Sequence, residues 1–226
     1  PVSSLFPNTS LSSAWMVVES SQSEVNGFFL QYDRQLTMMD GANVSGNLLP
    51  EFLLPFADGE TVSILNPGEA LVNLRVDSFK EDGTSSNATQ IVLPQRSKVD
   101  MAVSSLQPEG QQGGYLRGSG EGGLVVVGLC QGNGRLSAVS GLNPAKGAIK
   151  QYAPQYAVGG GFSTVLEVIN LETLATTLTI RLLGEDGQPV AQARSLTISI
   201  PGQGSARITP NQLNLKVESP LVQGYA

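Results

Sequence analysis

Thr61-Val-Ser-Ile-Leu-Asn-Pro-Gly-Glu-Ala-Leu-Val-Asn-Leu-Arg-Val-Asp-Ser-Phe-Lys-Glu-Asp-Gly83 is the stretch on which the fold turns. It returns without a gap as Val165-Leu-Glu-Val-Ile-Asn-Leu-Glu-Thr-Leu-Ala-Thr-Thr-Leu-Thr-Ile-Arg-Leu-Leu-Gly-Glu-Asp-Gly187. The displacement is 104 residues, carrying Asn66 to Asn170 and Gly83 to Gly187. Self-similarity at a fixed spacing is the mark of a repeated unit. Inside the stretch, Val62 and Ile64 flank Ser63, and Val72, Leu74 and Val76 alternate with Asn73, Arg75 and Asp77. Leu166 and Val168, then Leu178 and Ile180, agree, with Glu167, Thr179 and Arg181 opposite. Strict alternation of one apolar and one polar face predicts half-buried antiparallel strands. No segment sustains the period of 3.6 that a helix needs.

The connections fit strands. Asn66-Pro67-Gly68-Glu69 reads as a tight turn. Glu81-Asp82-Gly83 and Glu185-Asp186-Gly187 read as hairpin turns, where glycine tolerates positive φ. Ile91-Val-Leu-Pro94 and Ile198-Ser-Ile-Pro201 are strands ended by proline, which cannot donate to a ladder. Val99-Asp-Met101 and Ala206-Arg-Ile208 follow them. Leu124-Val-Val-Val-Gly-Leu-Cys130 lacks alternation and reads as a central strand covered on both sides. About seven short strands in about 100 residues, with regular turn signals, predict an immunoglobulin-like β-sandwich. The Cys…Trp…Cys signature of antibody domains is missing. The expected fold is all-β: tandem antiparallel sandwiches with incomplete units at both ends.

Working outward, Val2-Ser-Ser-Leu-Phe-Pro7 matches Val103-Ser-Ser-Leu-Gln-Pro108, and Trp15-Met-Val-Val stands where Tyr115-Leu-Arg-Gly does. Val25-Asn-Gly-Phe-Phe29 matches Val126-Val-Gly-Leu-Cys130 at a displacement of 101. Arg34-Gln-Leu-Thr-Met-Met-Asp-Gly41 matches Gly134-Arg-Leu-Ser-Ala-Val-Ser-Gly141. Residues 1–48 thus read as the back half of a unit, 49–152 as a complete sandwich and 153–226 as a sandwich lacking its last strand. Val222-Gln-Gly-Tyr225 reads as the last match to 126–129. Three accounts of the missing strand stand open: a window on a longer array, closure by the first segment, or a strand supplied by another copy. No signal peptide is visible at Pro1, so a mature form or a fragment is expected.

Tyr152-Ala-Pro-Gln-Tyr-Ala-Val-Gly-Gly-Gly-Phe-Ser-Thr-Val-Leu-Glu-Val-Ile-Asn170, followed by Leu183-Gly-Glu-Asp-Gly-Gln-Pro189, resembles the tandem β-sandwich repeats of large secreted bacterial surface proteins. The resemblance covers most of 49–226 and, more weakly, 1–48. It departs at Phe56-Ala-Asp-Gly59, which replaces the glycine triplet of Gly159-Gly-Gly161. It implies an extracellular or cell-surface stalk, adhesive or scaffold role, and it brings no catalytic residues.

Composition narrows the chemistry. Charged residues are 14% of 226, against roughly a quarter in ordinary soluble domains. With 40% hydrophobic residues a core is available. The net charge is −6 and the 13 basic residues are scattered, so nucleic acid is not an expected partner. No apolar run reaches the roughly 20 residues of a membrane span. The chain has no histidine, which removes Ser-His-Asp and Cys-His catalysis and histidine-ligated metals. A single cysteine, Cys130, excludes an internal disulfide and reads as a core thiol, with an exposed crosslinking thiol as the other reading.

No catalytic, cofactor-binding or metal-binding residue is assigned. Glu81/Asp82, Glu185/Asp186 and Asp77 near Glu81 read as solvated turn carboxylates. Ca²⁺ is the one ion such loops would suit, but no ordered ligand spacing accompanies them. Gly159-Gly-Gly161 lacks the Lys-Ser/Thr of a phosphate loop. Asn8, Asn43 and Asn87 fit the N-glycosylation pattern. Trp15, Tyr115, Phe52, Tyr152 and Tyr156 are the rings that could stack on sugars. Phe52, Tyr152 and Tyr156, near the unit boundaries, are expected to pack between units. The leading reading is a non-enzymatic structural protein, a stalk or filament subunit, partnered by itself or by neighbouring repeats. The alternative is a carbohydrate-binding or adhesive module whose partner is a surface glycan.

Overall fold

The computed structural model describes residues 15–22, 26–32, 39–43, 46–56, 60–132, 135–160, 162–216 and 221–224. Among them the regular elements are strands and three short 3-10 turns. The alternation drives this: Val62, Ile64, Val72, Leu74 and Val76 are buried, while Asn73 and Arg75 are exposed. In chain order the strands are β1 (Phe28–Tyr32), β2 (Met39–Asn43), β3 (Leu49–Pro55), β4 (Glu60–Asn66), β5 (Val72–Phe79), β6 (Ser85–Leu93), β7 (Ser97–Ala102), β8 (Tyr115–Gly132) and β9 (Arg135–Ser140). They continue as β10 (Tyr156–Gly159), β11 (Phe162–Ser163), β12 (Leu166–Ile169), β13 (Thr176–Ile180), β14 (Leu196–Ile200), β15 (Ser205–Ile208) and β16 (Val222–Gly224). All their pairings are antiparallel.

The central region is built on β8, 18 residues long. Its first part pairs with β3 on one side and β5 on the other. From Val125 onward it pairs instead with β4 and β9. The order is thus β6-β5-β8-β3 at one end of β8 and β7-β4-β8-β9 at the other. Gly118, Gly120, Gly122 and Gly123 fall in and beside the changeover. At Gly118 a Cβ would run into the Phe52 ring, so β8 passes over that ring only because glycine is there. One core joins the two arms: Phe52, Leu54, Leu74, Val76 and Leu116 from one, Val62, Ile64, Leu124 and Val126 from the other. The outer face of β8 over Val125, Val127 and Leu129 is half-buried rather than fully covered.

The C-terminal region has its own core of Tyr156, Val158, Ile180, Leu182, Ile208, Leu213 and Leu215. It holds the pairs β12–β15 and β13–β14 and the three-stranded order β11-β10-β16. Its registers echo the central ones. Leu166 faces Ile208 and Ile169 faces Ser205, as Val62 faces Met101 and Leu65 faces Lys98. Tyr156 faces Gly224 as Phe52 faces Gly118. Val222–Gly224 therefore takes the place of Leu116–Gly118, against β10, and not the place of 126–129 that the Val-x-Gly match suggested.

Two asparagines tie these strands together. Asn66 is 1% exposed and Asn170 6%. The Asn66 side-chain amide donates to the carbonyls of Ala70 (2.8 Å), Leu93 (3.2 Å) and Pro94 (2.9 Å), and its oxygen accepts from Gly68 N–H (3.0 Å). Asn170 donates to Leu174 (2.8 Å), Ile200 (3.3 Å) and Pro201 (2.8 Å) and accepts from Glu172 N–H (3.1 Å). Each side chain thereby fixes the turn after one strand to the end of another, and the proline carbonyl closes the set. The turns that follow those prolines also agree: Arg96 (φ 51°) donates its N–H to Gly68 O, and Gln203 (φ 54°) to Glu172 O.

The first segment contributes one hairpin. β1 pairs with β2, and β2 lies beside β9, where Ala138 N–H donates to Asp40 Oδ2 at 2.8 Å. The match at 2–7, residues 34–38 of the match at 34–41, Val25 and Asn8 lie outside the described residues. Asn66→Ala is expected to lower the unfolding free energy by about 2–4 kcal/mol, because it orphans three carbonyls and one N–H in a dry site. Asn73→Ala, on the exposed face of β5, is expected to stay within about 0.5 kcal/mol. Urea denaturation of both variants checks this; equal effects would dismiss the tie.

Candidate functional site

The two regions meet through turns. Lys80–Thr84 forms the Asp-Gly hairpin: Lys80 N–H donates to Thr84 O (2.9 Å) and Gly83 N–H to Lys80 O (3.0 Å), with Gly83 at φ 85°. Asp82 Oδ1 accepts from Thr84 N–H (2.9 Å) and Thr84 Oγ1 (2.6 Å), which holds its carboxyl below the usual range. Opposite lies the turn Pro201-Gly-Gln-Gly204, closed by Gly204 N–H donating to Pro201 O at 3.0 Å. Across the joint Ser205 N–H donates to Glu81 O at 3.0 Å, and the Tyr115 hydroxyl donates to Gln203 O at 2.9 Å. Backbone meets backbone: a Cβ on Gly83 would strike Gly202 O, and one on Gly204 would lie 2.5 Å from Glu81 O.

Behind this contact, Tyr115 is 2% exposed and stacks on Phe79, centroids 5.0 Å apart and 4° from parallel. Burial pushes its phenol up to about 12, with Arg117 acting the other way. Glu167, on β12, pairs with Arg207 on β15 at 2.8 Å. Burial is the main cause that pushes the Glu167 carboxyl up to about 7; Arg207 opposes it, and the charges of Glu81 and Glu60 add to it. Glu81 belongs to the hairpin of the neighbouring region, so the joint brings like charges together. The site brings backbone against backbone and sets a carboxyl that holds its proton to higher pH than usual beside it.

The residues singled out in the sequence fall elsewhere. Phe52 and Tyr156 lie inside the two cores, not on a surface between them. The Tyr156 hydroxyl has no hydrogen-bond partner among the described residues, and burial raises its pKa. Tyr152 is 66% exposed with Lys150 Nζ 5.2 Å from its ring centre. Of the five rings weighed for sugar stacking, Trp15 and Tyr152 are exposed and the other three are buried. Asn43 is exposed at the end of β2, whereas Asn87 spends its amide on Leu106 O at 3.1 Å. Cys130 is half-buried. Asp77 is held by Arg75, and Asp186 Oδ1 accepts from Gln188 N–H at 2.9 Å. Among the described residues no three acidic or sulfur side chains cluster as a metal site, and no helix is long and apolar enough to cross a membrane. An open groove beside the hairpin is lined by Lys80, Glu81, Asp82, Glu109 and Gln111 among others, and no aromatic ring lines it.

Sequence reasoning missed the joint, yet a signal existed. Pro201-Gly-Gln-Gly204 stands where the matching stretch has Pro94-Gln-Arg-Ser97. Glycine gained on both sides of one residue marks a place where another backbone comes close. Comparison of the chain with protein-family models, with curated proteins and with solved structures gave no match.

Gly204→Ala is expected to push the hairpin away. The Ser205 amide should then exchange with solvent roughly tenfold faster or more, while the amides of β13 keep their protection. Unchanged exchange at Ser205 would show that close approach does not hold the joint. For Glu167 the folded pKa lies above the unfolded one, so the folded state holds the proton more tightly between about 4.5 and 7. Its contribution to stability is fully present below about pH 4.5 and is lost as pH rises from there through 7, on the order of 2–3 kcal/mol. Denaturation midpoints of the native chain should fall from pH 5 to pH 8, and Glu167→Gln should flatten that slope; parallel slopes in the two proteins refute it.

Proposed function

We propose that the chain is a non-enzymatic structural segment of an extracellular stalk, made of tandem immunoglobulin-like β-sandwiches of about 100 residues. The observation that carries this reading is the joint. Two regions with separate cores are held by backbone hydrogen bonds between turns, with an aromatic pair sealed behind them. Rigid turns contacting rigid turns pass force along a chain without a hinge, which is what a spacer requires. The matching asparagine ties and strand registers support the tandem architecture. The low charge and the resemblance to secreted surface repeats support the extracellular setting. Function is then mechanical: ladders and cores supply stiffness, and repetition supplies reach.

Small-angle scattering of the native chain is expected to fit one fixed arrangement of the two regions, and Gly204→Ala to broaden it. A native profile that only an ensemble of freely hinged bodies can fit would remove the stalk reading. So would turnover of a polysaccharide by the purified chain, or saturable binding on a glycan array.

A further inference from the structure

Glu167 and Arg207 face each other in the β12–β15 register. Their ion pair of 2.8 Å is partly buried, with 22% of the Glu167 side chain and 32% of the Arg207 side chain exposed. Both point away from the C-terminal core, because Leu166 and Val168 on one strand and Ala206 and Ile208 on the other turn inward. Ser205 stands two residues before Arg207 and shares its side of β15. It is also the residue whose N–H reaches Glu81 O across the joint, at 3.0 Å. The ion pair therefore stands beside the contact that joins the two regions.

The charges around Glu167 are unbalanced. Arg207, on β15, belongs to the same region as Glu167. Glu81, from the docked hairpin, and Glu60, at the start of β4, belong to the central region and add negative charge there. Among these four groups one guanidinium serves three carboxylates. At the matching place in the central region Ser63 faces Asp100. The Ser63 hydroxyl donates to that carboxylate, and Lys98 pairs with it at 3.0 Å. There a hydroxyl and an ammonium serve one carboxylate.

We infer that protonation of Glu167 locks the joint between the two regions and its ionisation loosens it, so that the chain is stiff in acid and acquires a hinge above neutrality. The inference deepens the stalk reading, because that reading rests on the same joint. Its direction follows from which charges move. Glu81 and Glu60 travel with the central region, so their repulsion acts on Glu167 only while the joint is closed. Arg207 stays with Glu167 in either arrangement. Burial in the closed joint, the largest cause, and then the two like charges carry the carboxyl up to about 7 against the pull of Arg207. Released into water and away from those charges, it returns toward 4.5. The closed arrangement thus holds the proton more tightly. Between those two values each rise in pH favours opening, and above 7 the effect is complete.

Amide exchange at Ser205 in the native chain, corrected for the intrinsic rate at each pH, tests this. Protection should fall at least about tenfold from pH 5 to pH 8, with the β13 amides remaining the better protected. Glu167→Gln should remove the fall, and Glu60→Gln together with Glu81→Gln should move its midpoint to lower pH. Equal protection of Ser205 at both pH values overturns the inference. So does the same fall in Glu167→Gln, or an unmoved midpoint in the double variant. Ser205 and β13 exchanging at one common rate at pH 8 would mean that the whole region unfolds, which overturns it too. Small-angle scattering separates the gate from the stalk. One fixed arrangement at pH 5 that becomes a hinged ensemble at pH 8 supports both. One fixed arrangement at both pH values keeps the stalk and overturns the gate, and a hinged ensemble at both removes the two together.

Discussion

A buried carboxamide with four partners sets the frame of this protein. Asn66 and Asn170 each sit at the end of a strand and point inward, where water cannot serve them. A buried amide must find its bonds in the protein, and here its two N–H hydrogens are shared among three carbonyls while its oxygen takes one N–H. The partners come from the turn after the strand together with the proline-ended strand across the core. The polar residue costs burial but selects the register, because a shift of one residue would orphan every bond. Leu and Ile around it supply the larger apolar burial, which by itself is indifferent to register.

The strand β8 shows what happens when one element serves two partners. Its alternation is broken by glycines, and the reason is spatial: Phe52 and Leu54 lie beneath Gly118 and Gly128 where a side chain would collide or crowd. The changeover of partners lets one core span both arms. In the C-terminal region Val222–Gly224 supplies only the first of those two pairings. Leu166, Val168 and Leu178 are half-buried, whereas their counterparts Val62, Ile64 and Leu74 are fully buried beneath β8 and its partners.

Much of this was legible from residues. Alternation gave β4, β5 and their matches, and Asp-Gly gave the hairpins at positive φ. Asn66 reads as a turn residue, though it also ties strands inside, because turn and tie use the same amide. Phe52 and Tyr156 look like boundary rings from their matching places in the sequence. Position along a chain says nothing of which face of a strand a ring takes, and both face inward. Val222-Gln-Gly matches the second half of β8 by sequence, but Val-x-Gly is a three-residue signal and pairing with Tyr156 places it with the first half. The joint lay beyond reach because it depends on two turns about 120 residues apart meeting in space.

The joint depends on how bare one turn is. Gly204 approaches Glu81 O so closely that any side chain there must be displaced. Its counterpart by the same displacement that carries Pro94 to Pro201 is Ser97. Its neighbour Arg96 reaches back to the carboxylate of Glu69 and covers its own turn with an ion pair. The two turns share a backbone path, down to the left-handed residue at 96 and 203, yet only one is bare enough to receive a hairpin. The two regions thus share the tie beside each core and differ in the two or three residues that decide contact. Substitutions at Gly204 or Ser97 leave the Asn network in place, since both positions lie outside the two cores.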